Sequence, residues 1–304
     1  MPRNAKPGFS CSRSVDEKID AGQYYDAQQM AKSLYRRLCA KAQHAEAGQL
    51  CVDLASRFSA VGEFELAANL GQDLVSSLEA RQELPSDENL SQIEAIFQAI
   101  PSNVASSQKY ALVYKALKWS SASCSSGHPR LHRIAALSHW ADGNFGKCQG
   151  HYVYCGDGPG LAKMVREWRQ KGYTMERDLF SLRVLLILLS LSDLVTARSF
   201  WDAVNEGEAL DLRAMHVAEN EAAVPEPALQ FGTFLLAAAE SHSAKFFRIV
   251  RSKYTLVIRR DRTFDKYLDE IEAKVFGTRV QQNGIGALFD LLLGSGGSGD
   301  TVGE

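Results

Sequence analysis

Seven cysteine and histidine side chains crowd into residues 124–155: Cys124, His128, His132, His139, Cys148, His151 and Cys155. Thiolate and imidazole are the ligands zinc prefers, and a zinc site needs four of them to converge. His132 and His139 are seven apart and share a helix face. The spacings match no zinc pattern, however, and Pro129 takes His128 out of any helix. The competing expectation is that His128-Pro129 opens a helix, with His132 and His139 as packing residues on it. Other chemistries lack their residues. No G-x-x-x-x-G-K-[ST] phosphate loop occurs, and the glycine-rich run at 294–299 has no lysine and no helix after it. H-E-x-x-H and G-x-S-x-G are absent as well. Gly156-Asp-Gly-Pro-Gly160 precedes a helix, so its amides face the right way to hold an anion, but a connector between two helix pairs needs no ligand. The expectation is a chain without catalytic residues, cofactor or bound metal, not an enzyme.

A different kind of chemistry, recognition of a partner, has better support. Tyr25, Gln29, Lys32 and Arg36 recur at helical spacing, with Arg37 and Lys41 beside the end of the stripe. Tyrosine and arginine are enriched where proteins meet, because their large stiff surfaces are buried on binding. Charge is also segregated along the chain. Residues 1–41 hold eight basic and four acidic residues, and 42–99 hold two basic and ten acidic. Residues 245–280 hold ten basic and five acidic, with Phe246, Phe247 and Tyr254 interleaved. That last stretch raises the alternative of a helical-repeat RNA-binding protein, which would stack bases on aromatic rings. The whole chain argues against it: 34 basic residues are matched by 36 acidic ones, whereas nucleic-acid binders carry a basic excess.

The elements that must position these residues are helices. The eight prolines fall at 2, 7, 85, 101, 129, 159, 225 and 227, leaving long tracts free of a residue that costs about 3 kcal/mol inside a helix. Strict apolar–polar alternation, the mark of a strand, is nearly absent. From Tyr24 to Ala40, residues Ala27, Met30, Ala31, Leu34 and Leu38 share the side opposite Tyr25, a wide buried stripe. In the next tract Leu50, Leu54, Phe58 and Val61 line up, and Gly62 stops the helix. The spacing predicts helices over 14–21, 23–40, 44–61, 63–82, 87–99, 103–119, 129–142, 144–152, 158–171, 175–190, 193–204, 226–241, 243–254 and 262–276. A loop or hairpin is expected at 205–225.

One opening recurs. Gly22-Gln-Tyr-Tyr-Asp-Ala27 is repeated as Gly62-Glu-Phe-Glu-Leu-Ala67, forty residues on, and more weakly at Gly143 and Ser192. A small residue ends one helix, an apolar one starts the next, and an alanine permits close approach. Such hairpins stack into an α-solenoid of tetratricopeptide-like pairs, so the expected fold is all-α. A large single-core bundle is the other all-α possibility.

With 304 residues, the chain exceeds one ordinary core. The expected division is a flexible N-terminus (1–13), an N-terminal repeat half (14–152), a C-terminal repeat half (153–280) and an amphipathic segment with a flexible tail (281–304). In that last stretch Ile285, Leu288, Phe289 and Leu292 fall at i, i+3, i+4 and i+7, which fits either a cap on the last helix or a linear motif that docks in a groove. The most apolar run, Val184 to Leu191, is bracketed by Arg183 and Asp193 and is too short to span a membrane. With no apolar leader in the first ten residues and six cysteines outside any C-x-x-C pair, reduced thiols and a cytosolic location are expected.

Several stretches carry a further resemblance: Lys18-Ile19, Gly22 to Ala27, Ala116-Leu-Lys-Trp119-Ser-Ser, Gly127-His-Pro-Arg-Leu-His132, Arg259-Arg-Asp261 followed by Tyr267-Leu-Asp269, and Gly286-Ala-Leu-Phe-Asp-Leu-Leu-Leu-Gly294. In this order they resemble the Golgi-to-ER traffic protein 4 family, helical scaffolds of the pathway for guided entry of tail-anchored proteins. The resemblance implies a non-catalytic α-solenoid whose N-terminal helices bind the tail-anchored protein targeting ATPase. Its C-terminal half would hold a ubiquitin-like adaptor, through which a co-chaperone is reached. In animals the adaptor sits in a larger co-chaperone scaffold. It implies that Lys18 and Tyr25 lie in the ATPase surface. Gln29, Lys32, Arg36, Arg37 and Lys41 extend that surface by the helical stripe alone. Residues 205–224 are too acidic and polar for the apolar grip some members use on the adaptor, so no adaptor-binding residue is assigned.

Overall fold

The structure, a computed structural model, describes residues 7–101, 106–173, 176–216 and 227–277. Those residues form α-helices and connecting turns, with no strand among them. The chain divides into two compact units, Met1–Asp157 and Gly158–Glu304.

The first unit comprises α1 (Pro7–Asp20), α2 (Tyr24–Ala40), α3 (His44–Ala60), α4 (Phe64–Ala80), α5 (Asp87–Ala99), α6 (Ser106–Ser120), α7 (Pro129–Ala141) and α8 (Phe145–Tyr152). Each helix packs on its successor, and α3 also packs on α5, α4 on α6 and α5 on α7. This neighbour and next-but-one stacking is that of an α-solenoid. It needs small residues where helices cross, and Ala27, Ala31, Ala47, Ala67 and Ala68 are all buried there.

The joints between helices share one geometry. Residues 22, 42, 62 and 82 all take positive φ, between 56° and 86°. At each, the following amide donates to the carbonyl five residues back, as in Gln23 to Lys18 (2.9 Å), Gln43 to Leu38 (3.0 Å), Glu63 to Phe58 (2.8 Å) and Glu83 to Leu78 (3.0 Å). This is the Schellman closure. The forty-residue repeat of glycines is therefore a twenty-residue repeat of turns, in which Ala42 and Gln82 occupy every second left-handed position. A β-carbon there costs about 1 kcal/mol that glycine does not pay. A Cβ on Gly62 would touch nothing, so the conformational effect stands alone. Gly62→Ala is expected to lower the unfolding free energy by about 1 kcal/mol and Ala42→Gly to raise it by a few tenths. Urea unfolding followed by circular dichroism checks both.

The second unit comprises α9 (Gly158–Arg169), α10 (Arg177–Ser190), α11 (Leu194–His216), α12 (Pro227–Glu240), α13 (Ala244–Lys253), α14 (Thr255–Ile258) and α15 (Thr263–Phe276). α10 packs against α9, α11, α12 and α15. That explains the apolar run: Leu182, Val184, Leu185, Leu186, Leu188 and Leu189 are all fully buried. No helix among the described residues is long and apolar enough to cross a membrane. Polar ties close the unit, with Arg260 donating to Asp178 at 2.9 Å, Arg183 to Asp261 at 3.1 Å and Lys274 to the Ser190 carbonyl at 2.9 Å.

Several expectations need correction. The helix expected to end at 204 runs to His216, since the residues after it are mostly strong helix formers and one glycine costs only about 1 kcal/mol. The first helix begins at Pro7 rather than 14, with proline in the first turn where its missing N–H is harmless. Met30 and Val61 are exposed rather than buried. Val61 follows the last residue of α3 and leaves the stripe with the turn. The short α14 was not foreseen. Residues 217–225 and the segment from Ile285 to Leu292 lie outside the described residues.

Candidate partner-binding surface

α2 has one buried side and one open side. Ala27, Ala31, Leu34 and Tyr35 are buried, and Tyr25, Gln29 and Arg36 lie exposed along the opposite side, Tyr25 71% so. Arg37 and Lys41 are exposed where α2 ends, and a cation there is favoured by the negative end of the helix dipole.

The structure splits the remaining two cations from this line. Lys18, at the end of α1, is half-buried; its ammonium donates to Gln23 Oε1 at 2.5 Å and lies 3.8 Å from Asp26. Lys32 falls at the same helical angle as Tyr25 but leans toward α4, 3.4 Å from Asp73. Exposed pairs of this kind contribute at most about 1 kcal/mol, so a partner carboxylate displaces either at little cost. The acidic residues Asp16 and Asp20 of α1 are engaged by Arg57 of α3, at 3.2 and 3.0 Å. What α2 offers a partner is therefore an exposed aromatic ring near its start and exposed cations toward its end.

The cysteine–histidine group does something else. His128 caps α7, its Nδ1 accepting from the Arg130 amide at 3.3 Å, with Pro129 as the first helical residue. His132 and His139 of α7 turn inward and meet His151 of α8 and Tyr110 and Tyr114 of α6. The Tyr110 and His139 rings stack at 4.0 Å, and His139 and His151 at 5.8 Å. Tyr114 also stacks on His151, at 5.5 Å, and lies 6.3 Å from Tyr110. His132 is held between the Ser126 carbonyl at 2.8 Å and His151 Nδ1 at 3.0 Å. His139 is only 1% exposed, and neither of its ring nitrogens finds a partner in the protein. Burial holds all three imidazoles below their ordinary range, His151 at about 4 with help from the charges its two neighbours would carry. The rings stack face to face, and among the described residues no group of three His, Cys, Asp or Glu converges as a metal site would require. Burial pushes the Cys155 thiol up to about 12 and raises that of Cys51 as well.

Two arginines of the basic stretch pair with acidic residues of the second unit. Arg251 reaches Asp269 at 2.8 Å and Asp265 at 3.1 Å, and Arg248 reaches Glu272 at 2.6 Å. Phe247 is fully buried, so it offers no stacking platform. Two exposed residues that sequence reasoning missed, Phe234 of α12 and Ile249 of α13, stand near the exposed Phe246. Their types read as core, and only the packing of α12 on α13 reveals which of two adjacent phenylalanines faces in.

The family model for Golgi to ER traffic protein 4 matches residues 41–294, a stretch that takes in α3 onward but not α1 and α2. The Golgi to ER traffic protein 4 homolog of Oryzias latipes is 31% identical over 293 residues, which cover 94% of this chain and 88% of that protein. The human homolog is 30% identical over 284 residues, covering 91% and 84%. The crystal structure of C. therm. Get4 superimposes with a TM-score of 0.81 over 97% of each chain at 18% identity, which extends the likeness to the fold. A matching family model, relatives that run through both units and a shared solenoid lead to one conclusion: the chain belongs to the Golgi to ER traffic protein 4 family.

Proposed function

We propose that the chain is a non-catalytic cytosolic scaffold that joins the tail-anchored protein targeting ATPase to a ubiquitin-like adaptor and, through it, to a co-chaperone. The product of this linkage is post-translational delivery of tail-anchored proteins to the endoplasmic reticulum. The observation that carries the reading is the open side of α2, where Tyr25, Gln29 and Arg36 stand exposed in a line within a chain of an ER-traffic family. Lys18, Lys32, Arg37 and Lys41 flank that line and complete the proposed ATPase surface. Cations beside an aromatic anchor give fast, salt-sensitive association with an acidic partner. The second unit would hold the adaptor by a longer-lived and more apolar contact, as permanent complexes do.

Separate sites require simultaneous occupancy. Sedimentation velocity of the chain with ATPase and adaptor together is expected to show a ternary complex at low salt. At high salt the ATPase should leave while the adaptor stays. Mutually exclusive binding of the two proteins would contradict the scaffold reading.

A further inference from the structure

Five carboxylates lie between Tyr254 and Phe276, and each already has a cation. Asp261 accepts from Arg183 at 3.1 Å, Asp265 and Asp269 from Arg251 at 3.1 and 2.8 Å, and Glu272 from Arg248 at 2.6 Å. Glu270 lies 3.6 Å from Lys274. The charge left over is positive. Lys245, Lys253, Arg259, Arg262 and Lys266 are exposed and make no ion pair among the described residues. Glu176 shares a cleft with Arg262, but its exposed neighbour Arg177 offsets it. Apolar side chains stand among these cations. Only Tyr254 separates α13 from α14; its amide donates to the Val250 carbonyl and its own carbonyl accepts from Val257, so one helical period runs through both. At about 100° per residue, Lys245, Ile249, Lys253 and Leu256 fall within about 80° of one another, opposite buried Phe247. Ile249 is 49% exposed and Leu256 81%. Phe246 borders this side at 36%.

An aliphatic side chain that projects into water, ringed by unpaired cations, suits a soft anionic surface. The cleft beside it is lined by arginines, hydroxyls and Asp265, with Ile258 as its single apolar residue, so a protein partner's apolar side chains find no pocket there. At a bilayer interface a helix lies flat, with its apolar side chains at the acyl boundary and its basic ones among the headgroups. The long stems of lysine and arginine allow both at once. We propose that the exposed side of α13 and α14 docks on an anionic lipid surface. Leu256 and Ile249 enter the acyl boundary, and Lys253, Arg259 and Arg262 meet the headgroups. So few contacts make the docking peripheral, reversible and sensitive to salt. The inference does not rest on the scaffold reading.

The test uses the full chain and vesicles of phosphatidylcholine, alone or with about a third phosphatidylserine, read by cosedimentation at low salt. The wild type is expected to bind the phosphatidylserine vesicles at least about tenfold more tightly than the neutral ones, and to leave them at high salt. Lys253→Glu/Arg259→Glu should weaken that binding at least about tenfold. Leu256→Ser, which changes no charge, should weaken it at least about threefold. All three positions are exposed, so the variants are expected to keep the wild-type circular dichroism. No binding to the anionic vesicles, equal binding to both kinds, or binding that Leu256→Ser leaves unchanged would overturn the proposal. The last result, joined by capture of soluble polyglutamate, would mark the surface as a dock for an acidic protein segment instead.

Discussion

Trp201→Ala is expected to destabilise the second unit by about 3–5 kcal/mol, the range for removing a fully buried large side chain. Trp201 is the largest such residue among the described residues. Its indole lies against Gly232 of α12, so closely that a Cβ on Gly232 would stand 2.3 Å from Cζ2. The ring needs the glycine, and the two positions are coupled. Gly232→Ala alone forces the indole aside and should cost about 1–3 kcal/mol. In the Trp201→Ala background the same space is vacant, and a leucine at 232 refills part of it while improving helix propensity. The double variant Trp201→Ala/Gly232→Leu is therefore expected to be more stable than the summed single effects by at least about 1 kcal/mol. The indole Nε1 donates to Thr233 Oγ1 at 3.0 Å, and that hydroxyl also donates to the Leu229 carbonyl at 3.0 Å, so removing the ring strands no buried group. Additive losses in urea unfolding would show that α11 and α12 do not meet as described.

Acid should weaken the first unit through its histidine stack. An unfolded histidine takes up its proton near pH 6.5, whereas His151 in the stack resists protonation to about pH 4. Between those values the unfolded chain holds more protons than the folded one, so stability falls as pH falls. Above pH 6.5 both states are neutral and the effect vanishes. His132 and His139 act in the same direction. The groups that face His139 are Asp142, which opposes the shift, and Lys109 and Lys147, which reinforce burial. Each excluded proton adds a slope of about 1.4 kcal/mol per pH unit, and His151 alone should account for roughly 2–3 kcal/mol between pH 7 and 4. The carboxylates of the chain also titrate there, so the informative quantity is a difference. His139→Phe/His151→Phe keeps the stacked rings and removes the two unpartnered nitrogens of His139, but it also strands His132 Nδ1, which His151 meets at 3.0 Å, so a loss of about 1–3 kcal/mol is expected at pH 7. Its unfolding free energy should fall less steeply below pH 6.5. Parallel pH profiles of wild type and variant would refute the assignment.

Much of the fold was legible because its grammar is local. Helix positions followed from proline placement and the 3.6-residue period, and the hairpin repeat from Gly22 and Gly62, whose left-handed turns are written as glycines. Ala42 and Gln82 adopt the same turn at a cost their residue types conceal, so half of the joints were hidden. The stripe on α2 was correct in direction, yet the wheel could not show Lys32 leaning to Asp73, because that pairing depends on how α4 packs. The histidine stack needed tertiary information throughout: Tyr110 and Tyr114 come from a helix with no sequence link to His132 or His151. Similarly, Phe246 and Phe247 are adjacent and alike, and only packing decides that one is core and the other surface.

The central claim is that the open side of α2 is an ATPase-binding surface. Titration calorimetry of the chain against the tail-anchored protein targeting ATPase, with and without ATP and beside Tyr25→Ala/Arg36→Glu, tests it most directly. The wild type is expected to bind, and the variant to lose at least about 1.4 kcal/mol, a tenfold change in Kd. Wild-type binding that the variant matches would contradict the claim for α2, and no binding by the wild type would contradict the proposed function itself.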